Sequence, residues 1–232
     1  MCVAILKPAG KYLDPDDLCL AHQANSDGCG FTVRCPQGLL TRKGLWSFAE
    51  FWRQFEPYQH LDALVHFRWA SMGVVTAENC HPFAVFKELA LIHNGHFGGY
   101  GGKEKSDTRE WMELVLRPLL KHDPTALDTP VVRRLLEASI GRSKVALLGT
   151  AKTYILGGDK EDWEDEIWYS QREYRYPRAH LGYQDVRSTT LDYADDEALW
   201  GEERACECCG TAPATMHFCT ACLTGEAVEE DE

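Results

Sequence analysis

The feature that most constrains the fold is a cysteine at position 2, directly before a short apolar run. The run Val3 to Leu6 has the length and composition of a buried strand, so the first strand begins at a thiol. Loss of Met1 leaves the thiol of Cys2 and a free α-amine on one residue. Because an α-amino group titrates near ~7.7 to 8.0 and a thiol near ~8.5, the amine can take the thiol proton. Cys2 is therefore a candidate nucleophile with its own base, or else a small hydrophobic residue of the strand.

Other segments carry polar residues that suit an amino-acid substrate. The Arg68 guanidinium can meet an α-carboxylate with two parallel hydrogen bonds, and Asp107 can bind an α-ammonium. The Asn94 amide and the Gly95 N–H form a candidate oxyanion hole. Each has a plain structural alternative. Arg68 is equally compatible with a surface charge at a strand end, and Asn94-Gly95 with a tight hairpin turn. Asp107 is equally compatible with an N-cap, with Glu110 completing a capping box.

The sequences and order of five segments after Cys2 resemble the motifs of the class II glutamine amidotransferases, the N-terminal-cysteine branch of the Ntn-hydrolase superfamily. In that family a stretch like His-Thr-Arg-Trp-Ala-Thr-x-Gly leads into Asn-x-His-Pro, and an apolar strand then ends in His-Asn-Gly. The matching segments here are Asp27 to Phe31 (DGCGF), His66 to Gly73 (HFRWASMG), Asn79 to Phe83 (NCHPF), Leu91 to Gly95 (LIHNG) and Ser106 to Thr108 (SDT). Two positions depart from the family pattern: Val3 stands where many members have glycine, and Met72 where some have histidine.

The resemblance implies a fold, a reaction and residue roles. The implied fold is an α/β (α+β) four-layer αββα sandwich, two stacked antiparallel sheets between helix layers, formed by residues 2–190. The implied reaction is hydrolysis of the glutamine side-chain amide through a thioester on Cys2, with Asn94 and Gly95 as the oxyanion hole and no cofactor for catalysis. The implied substrate-binding residues are Arg68, Trp69, Ser71, Gly73 and Asp107.

The resemblance also implies an acceptor for the ammonia. Relatives pass ammonia to a synthase domain, but these 232 residues contain neither a Ser-Gly-Gly-x-Asp-Ser pyrophosphatase signature nor a phosphosugar domain. We therefore expect glutamine as substrate and a separate synthase as partner. Two alternatives stay open: an Ntn amide hydrolase for another γ-glutamyl or acyl amide, and a non-enzymatic docking subunit.

The C-terminal part carries a second pattern, two Cys-x2-Cys pairs. The predicted zinc ligands are Cys206, Cys209, Cys219 and Cys222, with Cys208 and His217 as alternatives in the register. Four thiolates make a closed tetrahedral zinc site, so the predicted metal is structural and residues 205–223 form a zinc ribbon or knuckle. Residues 191–204 are predicted to be an acidic linker, and residues 224–232 a disordered acidic tail.

Charge and hydropathy exclude some functions. The net charge of −12 is unfavourable for nucleic-acid binding, which needs a basic surface. The apolar runs are too short to span a membrane, and the first residues lack the features of a signal peptide. We therefore expect a cytoplasmic protein.

The pattern of apolar residues predicts short strands and three helices. The predicted strands are Val3–Leu6, Ala63–Arg68, Leu89–His93, Val145–Leu148, Tyr154–Leu156 and Glu166–Tyr169. One helix begins at Ser47 with an aromatic stripe, and a second follows Asp107 and is bent or ended at Pro118. A third runs from Thr129 to Gly141. The glycine-rich stretch 96–103 is predicted to be a flexible loop over the site, and residues 71–78 a second cover.

Overall fold

The computed structural model describes residues 2–175 and the backbone of two short paired strands, β11 (Arg204–Ala205) and β12 (Pro213–Ala214). The cysteines of the predicted zinc module, the predicted linker and the predicted acidic tail lie outside the residues described in full. Within the described residues, no helix is long and apolar enough to cross a bilayer.

Two antiparallel sheets form the centre of the molecule. The strands are β1 (Val3–Lys7), β2 (Cys29–Cys35), β3 (Gly38–Leu45), β4 (Ala63–Phe67), β5 (Phe83–Phe86), β6 (Leu89–Asn94), β7 (Lys144–Gly149), β8 (Thr153–Leu156), β9 (Trp163–Glu164) and β10 (Ile167–Tyr169). The larger sheet has the order β3-β2-β4-β1-β10-β9, and the smaller has the order β5-β6-β7-β8. The six predicted strands are confirmed to within one residue at each end. Strands β1 and β6 therefore lie inside their sheets, and their ends carry Cys2 and Asn94.

Helices cover the outer faces of both sheets. They are α1 (Pro15–Ala24), α2 (Phe48–Phe55), α3 (Asp107–Trp111), α4 (Arg117–His122) and α5 (Pro130–Ile140), with a π-helical turn at Met112–Leu116 between α3 and α4. Helix α2 begins as predicted, because the Ser47 hydroxyl accepts from the Glu50 N–H at 3.2 Å. Helix α5 also follows its prediction, with Pro130 at its first turn and Gly141 beyond its end at φ +62°.

The second predicted helix was expected to bend or end at Pro118, and the structure excludes the second of these outcomes. The helical stretch passes through Pro118 and ends at His122. A proline lacks the N–H that would bond to the residue four positions earlier. The π-helical turn lies directly before α4, where the hydrogen-bonding pattern must change.

Three apolar cores separate four layers. One core packs α1 and α2 against the larger sheet, and another packs α3 to α5 against the smaller sheet. The core between the sheets consists of Ala4, Leu6, Leu64, Ala90, Ile92, Ala146, Leu148 and Trp168. Side chains alternate along a strand, so Val3 and Ile5 face the helices while Ala4 and Leu6 face the other sheet. The predicted stacked antiparallel sheets with helices on both outer faces are confirmed for residues 2–175.

Candidate active site

Cys2 lies at the start of β1, where the edge of the larger sheet meets the loop after β4. The Trp69 N–H donates to the Cys2 sulfur at 3.3 Å, and the thiol lies 3.4 Å from the Trp69 carbonyl oxygen. The Cys2 carbonyl accepts from the side-chain amide of Gln171 at 3.3 Å. The nucleophile candidate is a half-buried free thiol that neighbouring backbone holds in place.

Burial raises the pKa of the Cys2 thiol. The Trp69 N–H and the positive charge of Arg68 oppose this shift by stabilising the thiolate. Since burial is the largest influence, the thiol stays protonated at neutral pH and needs a base close by. The α-amine of Cys2 becomes such a base when Met1 is absent.

Arg68 is buried, so the alternative of a surface charge is wrong. Its guanidinium donates to the carbonyl oxygens of Met72, at 3.0 Å, and Val74, at 3.3 Å. Its backbone is held by the DGCGF segment, because the Arg68 N–H donates to Gly28 O at 2.8 Å and Arg68 O accepts from the Asp27 N–H at 3.0 Å. The arginine therefore reaches toward the loop of residues 71–78.

Asp107 is the first residue of α3 and is buried. The predicted alternative, Asp107 as N-cap with Glu110 in a capping box, is wrong: the N-cap is Ser106, and the Glu110 carboxylate accepts from the Gly101 N–H instead. One Asp107 oxygen accepts from the Phe97 N–H at 2.8 Å and the other from the N–H of the following residue at 2.8 Å. Backbone donors thus fix the carboxylate in one orientation.

Asn94 and Gly95 end β6, and the alternative of a hairpin turn is wrong. Strand β6 pairs with β7, but the chain between them contains α3 to α5. Gly95 has φ +138°, and a Cβ there would lie 2.4 Å from the Ser143 hydroxyl oxygen, so only glycine fits. The Asn94 side-chain nitrogen lies 3.1 Å from the Ser170 hydroxyl oxygen, while its side-chain oxygen is buried without a partner among the described residues.

The residues from these separate segments line one pocket. Its lining includes the predicted residues Cys2, Arg68, Trp69, Ser71, Gly95 and Asp107, joined by Ala70, Met72, His81, His93, Ser106 and Thr108. Gly73 and Asn94 are not in the lining. Gly73 lies in the loop of residues 71–78, where its N–H donates to Gly102 O at 3.1 Å, and Asn94 directly precedes the lining residue Gly95. Most of the predicted site therefore converges on the Cys2 thiol.

Segment 71–78, of which Ser71 and Met72 line the pocket, is bonded to segment 97–105, and we call the two segments the cover. Asn79 fastens them together, since its amide nitrogen donates to Val74 O at 3.1 Å and Glu104 O at 2.7 Å and its oxygen accepts from the Ser106 N–H at 3.1 Å. The cavity of about 20 Å³ has room for about one water molecule. An amino acid can enter only if the cover moves.

Three buried histidines lie at the pocket: His81 and His93 line it, and His66 lies beside them. His66 and His81 have ring centroids 4.0 Å apart, and a His66 ring nitrogen lies 3.0 Å from His93 O. Burial lowers the pKa of His66 to about 3 and that of His93 to about 3, so both are neutral at pH 7. These rings are held in the folded structure without charge.

Sequence analysis missed Ser170, Gln171 and the structural roles of Asp27 and Asn79. An Asp27 oxygen accepts from the Ala70 N–H at 2.7 Å and so shapes the loop beside Cys2. Asp27 and Asn79 lie in the DGCGF and NCHPF segments, so the resemblance to the family already marked both positions. Ser170 and Gln171 follow a predicted strand with no pattern that marks them.

A larger cavity of about 440 Å³ lies at the far end of the smaller sheet, between Leu120, Leu127 and Tyr154, but no predicted catalytic residue lines it. Among residues 2–175, no group of three or more histidine, cysteine or acidic side chains has the arrangement of a metal site. The predicted zinc ligands Cys206, Cys209, Cys219 and Cys222 lie outside the described residues.

Comparison with known proteins matches part of the chain. Over 77 residues, 32% of this chain, it is 38% identical to the glutamine–fructose-6-phosphate aminotransferase (isomerizing) of Thermus thermophilus, and the same values hold for the enzyme of a second strain of that organism. The matched part spans 13% of the length of those curated relatives. No family model matches the chain. Among solved structures, a glutamine phosphoribosylpyrophosphate amidotransferase from B. subtilis aligns with a TM-score of 0.46 and 15% identity, covering 73% of this chain and 41% of that one.

Proposed function

We propose that this chain, which is similar in sequence to a class II glutamine amidotransferase, hydrolyses the side-chain amide of glutamine with Cys2 as the nucleophile. The observation that carries the proposal is the shared pocket. Cys2, Arg68, Gly95 and Asp107 come from distant parts of the sequence and line one cavity, with Asn94 next to it.

The reaction follows from the groups around Cys2. With Met1 removed, the Cys2 amine takes the thiol proton, and the sulfur attacks the side-chain carbonyl carbon of glutamine. The carbonyl oxygen becomes an oxyanion, which the Asn94 amide and the Gly95 N–H stabilise. As the carbon–nitrogen bond breaks, the amine gives its proton to the nitrogen and ammonia leaves. Water then cleaves the glutamyl thioester to glutamate, and the sulfur recovers its proton.

Recognition of the amino-acid head group requires an exchange of partners at Arg68. The guanidinium is now bonded to neutral carbonyl oxygens of the cover. The two oxygens of a carboxylate can accept two parallel hydrogen bonds from the guanidinium and carry the opposite charge, whereas the carbonyl oxygens of the cover are neutral. The α-carboxylate of glutamine therefore displaces these carbonyls, and the cover opens around the bound substrate. Trp69, Ser71 and Gly73 lie on or beside the part of the chain that moves, and Asp107 is placed to meet the α-ammonium.

The test is release of glutamate and ammonia from purified protein whose intact mass shows that Met1 is absent. Cys2→Ala should abolish the activity, because nucleophile and base are on one residue. Cys80→Ala is the matched control, since Cys80 is a buried thiol near the site whose pKa is also raised by burial. Activity toward other γ-glutamyl amides without activity toward glutamine would show that glutamine is not the substrate. Loss of activity in Cys80→Ala but not in Cys2→Ala would show that Cys80 is the nucleophile.

We further propose that the ammonia passes to a separate synthase and that the C-terminal part serves for docking. In this proposal residues 2–190 form the glutaminase domain, residues 191–204 the linker and residues 205–223 a module with one structural zinc. Four thiolates leave no open position on zinc, so the metal would stabilise the module and take no part in hydrolysis. Its ligands would be Cys206, Cys209, Cys219 and Cys222.

Truncation after Tyr193 tests this division. It should remove zinc and weaken transfer of ammonia to the synthase while glutamine hydrolysis stays intact. Elemental analysis of full-length and truncated protein beside a glutaminase assay gives the result. Absence of zinc from the full chain would reject the metal site, and loss of hydrolysis from a folded truncated protein would assign the C-terminal part to the catalytic domain.

A further inference from the structure

Ser170 connects the nucleophile strand to the candidate oxyanion hole. It directly follows β10 and is only 3% exposed. The Ala4 N–H donates to the Ser170 hydroxyl oxygen at 3.0 Å, and the Ser170 N–H donates back to Ala4 O at 2.8 Å. The same hydroxyl oxygen lies 3.1 Å from the side-chain amide of Asn94. One side chain thus contacts β1 of the larger sheet, two residues from Cys2, and the end of β6 in the smaller sheet.

The hydrogen-bonding capacity of these groups decides how the Asn94 amide is best turned. A serine hydroxyl has one proton to donate and two lone pairs that accept, and the Ala4 N–H already occupies one lone pair. If Asn94 presents its nitrogen, the hydroxyl proton has no acceptor within residues 2–175, and the buried Asn94 oxygen has no partner there either. If Asn94 presents its oxygen, the hydroxyl donates to it, so the hydroxyl proton and the Asn94 oxygen are both satisfied and only the Asn94 nitrogen is left without a partner within residues 2–175.

The second orientation has a consequence for catalysis. The Asn94 nitrogen then takes the buried position where its oxygen has no partner, next to the pocket-lining Gly95. A buried donor without a partner is costly in the resting enzyme, and the cost disappears when an oxyanion forms beside it. Such an interaction favours the transition state over the bound substrate, so it raises kcat and leaves KM unchanged.

We propose that Ser170 is a positioning residue that donates its hydroxyl proton to the Asn94 side-chain oxygen and so turns the Asn94 N–H groups toward the oxyanion. This rests on the proposed glutamine hydrolysis. The role is separate from holding Cys2, because Gln171 and Trp69 bond to Cys2 directly. Ser170 acts on the reaction only through Asn94.

The kinetic test compares two reactions of Cys2. Loss of one oxyanion-hole donor lowers kcat by about 10²- to 10³-fold, so Ser170→Ala should lower kcat for glutamine by at least about 10-fold with KM unchanged. Alkylation of Cys2 by iodoacetamide forms no oxyanion, and its rate should not change. Ser170→Thr keeps the hydroxyl, so its kcat should stay close to that of the wild type. In an Asn94→Ala background, Ser170→Ala should have no further effect on kcat.

The matched control is Thr32→Val, which removes a fully buried hydroxyl of the same sheet that is bonded to Thr41 at 2.8 Å, away from the pocket. It should leave kcat unchanged. Equal losses of alkylation and hydrolysis in Ser170→Ala, or additive effects of the Ser170 and Asn94 substitutions, would overturn the role. If Ser170→Ala does not fold, Ser170→Thr and Ser170→Cys give the same comparison, with Thr active and Cys impaired.

A neutron structure of the wild-type protein reads the amide orientation directly, whatever the activity. The Asn94 oxygen on the Ser170 hydroxyl supports the proposal, and the nitrogen there overturns it. A wild type that releases no glutamate would reject the proposed function, but the neutron map would still decide the role of Ser170.

Discussion

The two sides of the pocket are built differently. On the strand side, Cys2 and Asn94 lie at the ends of paired strands inside the sheets, and Ser170 contacts both strands through Ala4 and Asn94. On the cover side, Arg68 bonds to carbonyl oxygens of residues 71–78, and that segment is fastened to the glycine-rich one by Asn79. On the strand side the buried Asn94 side-chain oxygen has no partner among residues 2–175, whereas the Asn79 amide that fastens the cover has both its nitrogen and its oxygen hydrogen-bonded. In the proposed reaction the reacting groups are therefore preorganised, whereas substrate entry requires the cover to break its own hydrogen bonds.

The largest expected difference between the two sides of the pocket comes from substituting a buried asparagine on each side. Asn94→Ala should lower kcat for glutamine by about 10²- to 10³-fold with little change in KM, because an oxyanion donor is lost. Asn79→Ala, its counterpart beside the cover, should lower KM with a smaller change in kcat, because it removes hydrogen bonds between segments 71–78 and 97–105 that must otherwise break for glutamine to enter. Steady-state kinetics with a thermal melt for each variant decides it. Equal effects of both variants on kcat would show that the two sides act as one unit.

A substitution at the boundary of the two sides should affect binding. Arg68→Lys should raise the glutamine KM by about 10- to 100-fold, because a lysine cannot form the paired hydrogen bonds of the guanidinium and charged bonds are worth about 1.5 to 3 kcal/mol. Arg34→Lys is the control, since Arg34 also donates to a carbonyl, Gly149 O, at 2.8 Å but lies away from the pocket. If Arg68→Lys and Asp107→Asn both leave KM unchanged, glutamine is the wrong substrate.

A further expected effect concerns the stability of the strand side in acid. The pKa of His66 is lowered to about 3 and that of His93 to about 3, so the unfolded chain takes up protons below pH 6.5 that the folded chain refuses. The free energy of unfolding therefore falls as the pH drops from 6.5 toward 3, by about 2 kcal/mol per histidine at pH 5. Urea titrations at pH 7 and pH 5 measure it. His66→Gln should flatten the pH dependence, and His122→Gln, an exposed change on α4, should leave it as it is. An identical slope in both variants would contradict this origin.

The sequence predicts the reacting groups better than their supports. The reacting groups lie at the N-terminus or in the sequence motifs that resemble the family, and all four line the pocket: Cys2, Arg68, Gly95 and Asp107. Ser170 gave no signal, because its place beside Ala4 depends on the pairing of β1 with β10, whose register joins Ile5 to Tyr169 across the chain. The carbonyl partners of Arg68 could not be predicted either, because no sequence pattern indicates which backbone oxygens of a loop accept a hydrogen bond.

Parts of the fold were missed for local reasons. Strands β2 and β3 contain glycine, threonine and charged residues, so their apolar alternation is weak. Helix α1 was missed although Asp14 caps it and Pro15 occupies its first turn, a signal that can be read. The helix after Asp107 was predicted to bend or end at Pro118, and it does not end there because a π-helical turn accommodates the proline.

The most direct test of the central claim is to locate the residue that a glutamine-like electrophile labels. We expect 6-diazo-5-oxo-norleucine to modify one residue, Cys2, in protein whose mass shows the loss of Met1, with glutamine slowing the labelling and hydrolysis lost in proportion. Protein that retains Met1 should be neither labelled nor active, since its amine is no longer a base. Labelling at Cys29 or Cys80, or full activity with Met1 still in place, would contradict an N-terminal cysteine nucleophile.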